Sequence, residues 1–312
     1  MSGDASAAPI DAVIARVKAV YRGWGRATTV AQMRDDWDAL FGSVSIAAEV
    51  ESVSIGAMHA QWVTAPGARI GKAILYLHGG GFQVGSVRSH RELMAHIGAA
   101  SSSRVLGIDY RLAPEHRHPA PLHDALAAYD WLLARGFAPG DIAFAGDSAG
   151  AGLALSAMLS LRDAGRALPA AAVLMSAWTD LTASGPSYTS RAGTDPIHQR
   201  AMILAMARNY LGADGDTAAA RDPLASPLFA DLEGLPPLLI QVGDRETVLS
   251  DSTMLADKAR AAGVRVELEV WENMIHVFQQ FPAELVEARE AIESIGAFLG
   301  ARLLSQPITR GF

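Results

Sequence analysis

The sequence predicts an α/β fold: a mostly parallel central sheet, covered by helices on both faces, with a helical cap. Short apolar runs alternate with longer stretches of helical pattern from about residue 46 onward, which is typical of parallel strands that return through helices. Two glycine-rich motifs, at positions 78–82 and 146–150, each follow one of these runs directly. Both motifs are therefore expected at turns where strands end.

The predicted strands are seven runs with the length and composition of buried strands: 50–55, 73–78, 105–109, 142–146, 172–176, 237–242 and 266–271. The helices predicted between and after them are 93–100, 122–135, 149–164, 252–262 and 284–304. This order predicts that the sheet domain takes up most of the chain.

Two segments depart from the alternation, and we expect them to pack together as a cap. The first is the amphipathic N-terminal part, and the second contains several glycines and prolines before a Met-rich helix at 199–210. The predicted organisation is cap helices at 1–45, core at 46–183, a cap insertion at 184–222 and the rest of the core at 223–312. The apolar cap side chains either line a pocket or pack cap against core: Trp24, Trp37, Tyr188, Met202, Met206 and Tyr210.

Composition excludes several classes of function. The 312 residues carry a net charge of -7 with 19% charged residues, which argues against binding to nucleic acid or to an anionic membrane. The chain has no cysteine, so it forms no disulfide, thiolate metal site or cysteine nucleophile. It shows no signal-peptide pattern and no apolar run long enough to span a bilayer, so a cytoplasmic protein is predicted.

Ser148 is the candidate nucleophile. It is the central residue of Gly-Asp-Ser-Ala-Gly at positions 146–150, between a predicted strand and a predicted helix. A serine on such a tight turn exposes its hydroxyl above the sheet, and the start of the helix directs backbone N–H groups at an anion formed there. The alternative is an ordinary glycine-rich turn in which Ser148 only caps the helix, and the flanking strand and helix make this alternative less favourable.

The second motif predicts donors for that anion. After the apolar run that ends at Leu77, three glycines follow His78, and such a run allows consecutive N–H groups to face one point. The candidate oxyanion hole comprises Gly79, Gly80, Gly81 and Ala149, and we favour Gly80 and Gly81 within the loop. A phosphate-binding loop is disfavoured because no lysine follows the glycines.

The chain resembles the hormone-sensitive lipase family of α/β-hydrolases, whose bacterial members are small carboxylesterases. The resemblance rests on His-Gly-Gly-Gly-Phe at 78–82, Asp-Tyr-Arg-Leu-Ala-Pro-Glu at 109–115 with Pro-Ala-Pro at 119–121, and Gly-Asp-Ser-Ala-Gly at 146–150. The stretch Ser-Ala-Trp-Thr-Asp-Leu-Thr at 176–182 is also similar to the family, so the likeness covers roughly residues 45–305.

The resemblance implies a base and an acid after the serine in the chain. His276, just beyond the run 266–271, stands where the family carries its base, whereas His198 lies in the insertion. Alignment on the family's acidic motif places Glu246 in the acid position, usually an aspartate. Asp244 stays an alternative, and Asp251 is expected to cap the following helix.

The remaining acidic and histidine residues of the central motif are expected to be structural. Asp109 is expected to form an ion pair with Arg111, and catalytic roles for Asp109 and Glu115 are disfavoured. His116 and His118 have the spacing of a minimal metal pair, but no further ligand is evident.

These features predict a serine carboxylesterase that hydrolyses small, short-acyl esters through an acyl-enzyme, with no metal or organic cofactor. A lactone hydrolase with the same residues and a non-catalytic ligand-binding protein of this fold are the alternatives. By analogy with the family, a homodimer through the run 266–271 is expected if that strand lies at the sheet edge.

Overall fold

The computed structural model describes residues 9–25, 27–42, 47–212 and 218–303. Parts of the predicted cap segments and the last residue of the final predicted helix lie outside these ranges. Within them, no helix is both long and apolar enough to cross a membrane.

The core is one eight-stranded sheet with the order β1-β2-β4-β3-β5-β6-β7-β8. The strands are β1 (Glu49–Ile55), β2 (Met58–Thr64), β3 (Arg69–Leu77), β4 (Ser103–Ile108), β5 (Ile142–Asp147), β6 (Ala172–Met175), β7 (Leu238–Gly243) and β8 (Val266–Trp271). Strand β2 is antiparallel to both neighbours, and all other pairs are parallel. The predicted α/β class with a mostly parallel sheet is confirmed, and β8 lies at the sheet edge as expected.

Strand β2 was not predicted, because polar residues interrupt its apolar run. Gln61 is nonetheless buried, and its side-chain oxygen accepts a hydrogen bond from Arg91 at 2.8 Å. His59 hydrogen-bonds Asp109 through its ring at 2.6 Å. Both partners are distant in sequence, so the pattern of the strand alone does not reveal that its polar groups are satisfied.

Helices cover both faces of the sheet and its carboxyl edge. They are α1 (Pro9–Gly23), α2 (Val30–Phe41), α3 (Arg91–Ser101), α4 (Ala120–Ala134), α5 (Ala149–Asp163), α6 (Ser187–Ser190), α7 (Arg200–Leu211), α8 (Leu249–Ala261) and α9 (Val286–Arg302). Helices α4, α5 and α8 contribute to one apolar core, and α3 and α9 contribute to the core on the opposite face. Helix α5 is the most deeply placed, with almost all of its side chains buried.

The two predicted cap segments meet above the core. Val13 and Val17 of α1 pack into a cluster with Phe278 and Phe281, which follow β8 in the chain. Tyr21 of α1 lies edge-on to the ring of His198 in the insertion, with 6.2 Å between ring centroids.

The division of the chain at residues 45, 183 and 222 stays a prediction, as do the homodimer and the cytoplasmic location.

The contact between α3 and α9 gives a test of the packing on one face. A Cβ atom at Gly296 of α9 would lie 2.5 to 2.6 Å from the backbone oxygen and carbon of Ala100. We expect Gly296→Ala to lower the free energy of unfolding by about 1–3 kcal/mol, because the helices must move apart. Urea denaturation measures the change.

Gly300→Ala is the matched control in the same helix, because nothing lies within 4 Å of a Cβ at that position. This variant should keep or raise the stability, since alanine favours a helix by up to about 1 kcal/mol over glycine. Equal effects of the two substitutions would contradict the close packing of α3 against α9.

Candidate active site

Ser148 lies on a strained turn between β5 and α5. Its φ and ψ angles are 52° and -121°, a conformation that side-chain-bearing residues rarely adopt. Its N–H donates to the carbonyl oxygen of Met175 at 2.8 Å, which ties the turn to the end of β6. A Cβ atom at Gly150 would overlap the carbonyl oxygens of Leu77 and His78. The glycine is therefore required because α5 begins in direct contact with the end of β3.

His276 and Glu246 form a buried pair. Nδ1 of His276 lies 2.7 Å from Oε2 of Glu246, and the glutamate side chain is fully buried. The other carboxylate oxygen, Oε1, accepts hydrogen bonds from the Ser176 hydroxyl at 2.8 Å and from the Gly243 N–H at 2.5 Å. The carboxylate thus fixes the orientation of the imidazole and is itself held by two strand ends.

Ser176 connects the acid loop with the histidine loop, and the sequence analysis did not identify it. Its hydroxyl donates to Glu246 and also accepts the N–H of Val277 at 2.9 Å. Ser176 and Val277 both have positive φ angles, of 46° and 50°. The signal available in the sequence is a polar residue directly after the buried strand β6, next to the strand that carries the serine.

The electrostatic environment of His276 favours the protonated form of its ring. Burial opposes the charged ring, but the hydrogen bond and the negative charge of Glu246 outweigh it, with Asp195 and Asp147 adding to the effect. The pKa of His276 is therefore raised above the usual value for histidine. Such a ring is suited to accept a proton and release it again.

The two other acidic residues of this loop have different positions. The N–H of Asp244 donates to Trp271, and Oδ1 of Asp244 is buried without a hydrogen-bond partner among the described residues. The structure therefore brings Glu246 rather than Asp244 to the histidine.

The expectation that Asp251 caps a helix is wrong. Its carboxylate lies inside the first turn of α8 and accepts the N–H groups of Thr179 and Asp180 at 2.8 and 2.9 Å. Burial raises the pKa of Asp251 to about 8. The negative charge of the nearby Asp180 adds to this rise, whereas the two backbone hydrogen bonds oppose it. Asp251 thus anchors the segment after β6.

The glycine loop after β3 differs from the expectation at one position. The N–H of Gly79 donates to Oδ1 of Asp147 at 3.0 Å, so it is not available to an oxyanion. Gly80 and Gly81 have φ angles of 111° and 61°, and both line the cavity that contains Ser148. Their N–H groups, and that of Ala149, have no acceptor in the parts of the chain that the structure describes.

The side chain of Asp147 binds the glycine loop through the N–H of Gly79. Its buried carboxylate accepts a hydrogen bond from the Tyr76 hydroxyl at 2.7 Å in addition to that from Gly79, and the ring of His90 lies 3.4 Å away. Burial alone would raise the pKa of Asp147, but His90, Tyr76 and His78 outweigh burial and lower it. A stable carboxylate therefore holds the first glycine of the loop.

The predicted pairing of Asp109 with Arg111 is wrong. Asp109 bonds His59 and accepts the N–H of Val87 at 2.7 Å, whereas Arg111 pairs with Asp124. Neither carboxylate reaches Ser148. Asp109 binds the backbone at Val87, and Asp124 binds Arg111, so these contacts hold the loops that follow β3 and β4. This agrees with the expected structural role of Asp109.

Helix α2 is bound to the glycine loop through Arg34. Its guanidinium donates to the carbonyl oxygens of Gln83 at 2.8 Å and of Ala113 at 3.0 Å, and it pairs with Glu115 at 2.7 Å. The side chain of Gln83 accepts in turn from Asn209 of α7 at 2.6 Å. Both cap segments therefore contact the residues that follow the glycines.

A cavity of about 250 Å³ lies between these segments and the core. Ser148 and His276 open into it, and the wall opposite them is largely aromatic and apolar. Of the six cap side chains singled out in the sequence, four line this cavity: Trp24, Trp37, Met202 and Met206. Tyr188 and Tyr210 instead pack in the interior, and Tyr210 stacks on Phe82 with 3.8 Å between ring centroids.

His116 and His118 do not form part of a metal site in the described structure. The described residues contain no group of three or more His, Cys, Asp or Glu side chains that could hold a metal ion. His118 instead lies 3.2 Å from the Tyr210 hydroxyl, between the core and α7.

Comparison with known proteins shows the family of the chain. A family model described as the alpha/beta hydrolase fold matches residues 74–280. An acetyl-hydrolase of Streptomyces hygroscopicus is 47% identical over 79% of this chain and 81% of its own length. An esterase of Acinetobacter venetianus is 38% identical, covering 72% and 73% of the two chains. The crystal structure of an esterase from the bacterial hormone-sensitive lipase family superposes with a TM-score of 0.89 at 45% identity, covering 95% of this chain and 98% of that one.

The pairing of Glu246 with His276 predicts a change in histidine titration. In Glu246→Gln the negative charge is lost, so the pKa of His276 should fall. NMR titration of the His276 ring measures it, with the signal assigned from a variant that lacks this histidine.

Asp244→Asn is the control, because Asp244 makes no hydrogen bond to the ring. It should change the pKa of His276 much less. Equal shifts in the two variants would mean that the charge acting on His276 is not chiefly that of Glu246.

Proposed function

The chain belongs to the α/β-hydrolase family and is a carboxylic ester hydrolase of the bacterial hormone-sensitive lipase type, and on this premise we propose that it acts as a serine carboxylesterase on small esters. The single observation that carries the proposal is that Ser148 and His276 open into one cavity while Glu246 holds the far side of the imidazole. This is the arrangement that a serine needs to become a nucleophile.

In the proposed first step, Ser148 attacks the ester carbonyl and His276 takes the hydroxyl proton. Because Nδ1 bonds Glu246, the other ring nitrogen is the one that serves the serine. The negative charge that develops on the carbonyl oxygen is stabilised by the N–H groups of Gly80, Gly81 and Ala149. His276 then protonates the departing alkoxide, which leaves an acyl-enzyme.

In the second step, water attacks the acyl-enzyme while His276 takes its proton; the bond to Ser148 Oγ then breaks, His276 returns the proton to this oxygen, and the acid is released. Glu246 stabilises the imidazolium in both steps without taking the proton itself. Apart from the ester and water, each step uses only side chains and backbone groups of the chain. No metal or organic cofactor takes part in the proposal.

The cavity supports small substrates. Its volume of about 250 Å³ lies below the roughly 300–1,000 Å³ typical of sites for drug-sized ligands. Its largely apolar lining favours an apolar substrate, and the acetyl-hydrolase name of one relative agrees with a short acyl group. Small lactones would meet the same residues.

Replacement of the nucleophile tests the reaction. Ser148→Ala should lower kcat for p-nitrophenyl butanoate by about 10⁴-fold or more, because no acyl-enzyme forms. Ser54→Ala, at an exposed serine of β1, is the control and should keep the wild-type rate. Labelling by a fluorophosphonate should be lost only in Ser148→Ala, and equal labelling of both variants would contradict the assignment.

An acyl-chain series tests the substrate class. For p-nitrophenyl esters from acetate to decanoate, kcat/KM should be highest among the short chains and lower by about tenfold or more for decanoate, because a cavity of about 250 Å³ should hold less of the long chain. A kcat/KM that rises through decanoate would contradict short-acyl preference. Faster turnover of lactones than of every linear ester would favour the lactone hydrolase.

A further inference from the structure

His198, which the sequence analysis assigned to the insertion without a role, lies directly against the proposed base. It lines the cavity from the cap side, and its ring centroid is 4.4 Å from that of His276 with an interplanar angle of 81°. Tyr21 lies on another side of the same ring. His198 is thus a second imidazole at the reaction centre, contributed by the cap.

This imidazole is almost fully buried and makes no hydrogen bond within the described parts of the chain. Only 6% of the His198 residue is exposed, and its Nδ1 is buried without a partner. Neither ring nitrogen is bonded to any of the residues that the structure describes. Natural proteins rarely leave a buried polar group unpaired, since its desolvation is not compensated. Because Nδ1 is enclosed and His198 lines the cavity, the unpaired Nε2 is the ring atom left for a ligand in the cavity.

The ring is neutral in the folded protein. Burial, together with repulsion from His276, lowers the pKa of His198 to about 3, although Asp195 acts in the opposite direction. A neutral imidazole has one N–H donor and one nitrogen acceptor. It is therefore able to bind an uncharged polar group of a substrate without adding a second positive charge beside His276.

Asp195 fixes the backbone that carries this ring. Its Oδ1 accepts the N–H groups of Ile197 and His198, each at 2.9 Å. Its Oδ2 accepts the N–H and the hydroxyl of Thr247 at 2.8 and 3.0 Å, directly beside Glu246 in the chain. The same buried carboxylate thus holds His198 and the acid loop in one arrangement, so the imidazole is positioned before substrate binds.

The chemistry indicates which half of the substrate His198 meets. In the proposed reaction His276 gives its proton to the departing alcohol oxygen, so the alcohol half of the ester lies beside His276. The atoms next to that oxygen are then close to the cap-side wall. Around them, Trp24 and Trp37 offer mainly apolar surface, whereas His198 offers a polar ring nitrogen.

We propose that His198 is a specificity-determining residue that hydrogen-bonds a hydroxyl, ether or carbonyl oxygen of the alcohol half, one or two carbons from the ester oxygen. This inference rests on the proposed esterase function. It predicts that esters of oxygen-bearing alcohols are preferred over esters of plain alkyl alcohols with the same length.

A matched pair of substrates tests the proposal: 2-methoxyethyl butanoate and butyl butanoate, which have the same chain length and differ by one ether oxygen. The ratio of their kcat/KM values is measured for the wild type and for His198→Phe, which keeps a planar ring and removes both nitrogens. Any difference in intrinsic reactivity between the two esters is the same for every variant, so it cancels when the ratios of two variants are compared. The ratio should therefore fall by about three- to tenfold in His198→Phe, the worth of one neutral hydrogen bond.

Two further variants control for packing and folding. His198→Asn keeps a donor and an acceptor and should retain part of the preference, whereas His123→Asn, at an exposed histidine of α4, should leave the ratio unchanged. Thermal unfolding and the rate of fluorophosphonate labelling establish that each variant is folded with a reactive serine.

An equal loss on both esters in His198→Phe, with the ratio unchanged, would overturn the inference and leave His198 as a packing residue. An unchanged rate on both esters would overturn it as well. If the wild type hydrolysed neither these esters nor p-nitrophenyl butanoate, the esterase proposal itself would fail, which is a distinguishable result.

Discussion

A fully buried carboxylate must keep its hydrogen-bond partners, and at Glu246 this requirement organises the site. Removing such a charge from water costs several kcal/mol unless partners replace the lost hydration. The partners of Glu246 come from the ends of β6 and β7 and from the loop after β8, through Ser176, Gly243 and His276. Three segments far apart in the sequence are therefore held by one group, and displacement of any of them leaves the charge unsatisfied.

A second buried carboxylate has the corresponding role on the other side of the serine. Asp147 precedes Ser148 in the chain and binds the N–H of Gly79, so the nucleophile turn and the glycine loop are fixed to each other. Glu246 thus orients His276, the proposed base, and Asp147 orients the loop that carries the proposed oxyanion donors. The aromatic cap closes the remaining side, which places the reacting groups in a largely apolar cavity.

Sequence reasoning identified the parts of this arrangement that depend on local pattern. The strand before Ser148 and the glycine loop are marked by residue type and neighbouring periodicity, and the family resemblance added His276 and Glu246. What it missed depends on contacts distant in sequence. Strand β2 contains polar residues that are paired from elsewhere, Ser176 gains its position only when β6 and β7 lie side by side, and Asp109 and Asp251 bond partners that spacing does not indicate.

The attachment of α2 also bears on how this enzyme can diverge. Through Arg34, the helix that contributes part of the aromatic wall is bonded to the main-chain oxygens of Gln83, in the loop after the glycines, and of Ala113, in the motif at 109–115. It also pairs with the carboxylate of Glu115. Substitutions that reshape the wall by shifting α2 therefore also strain the loop beneath it. Evolution toward bulkier substrates is consequently easier through side-chain exchange on a fixed α2 than through movement of the helix itself.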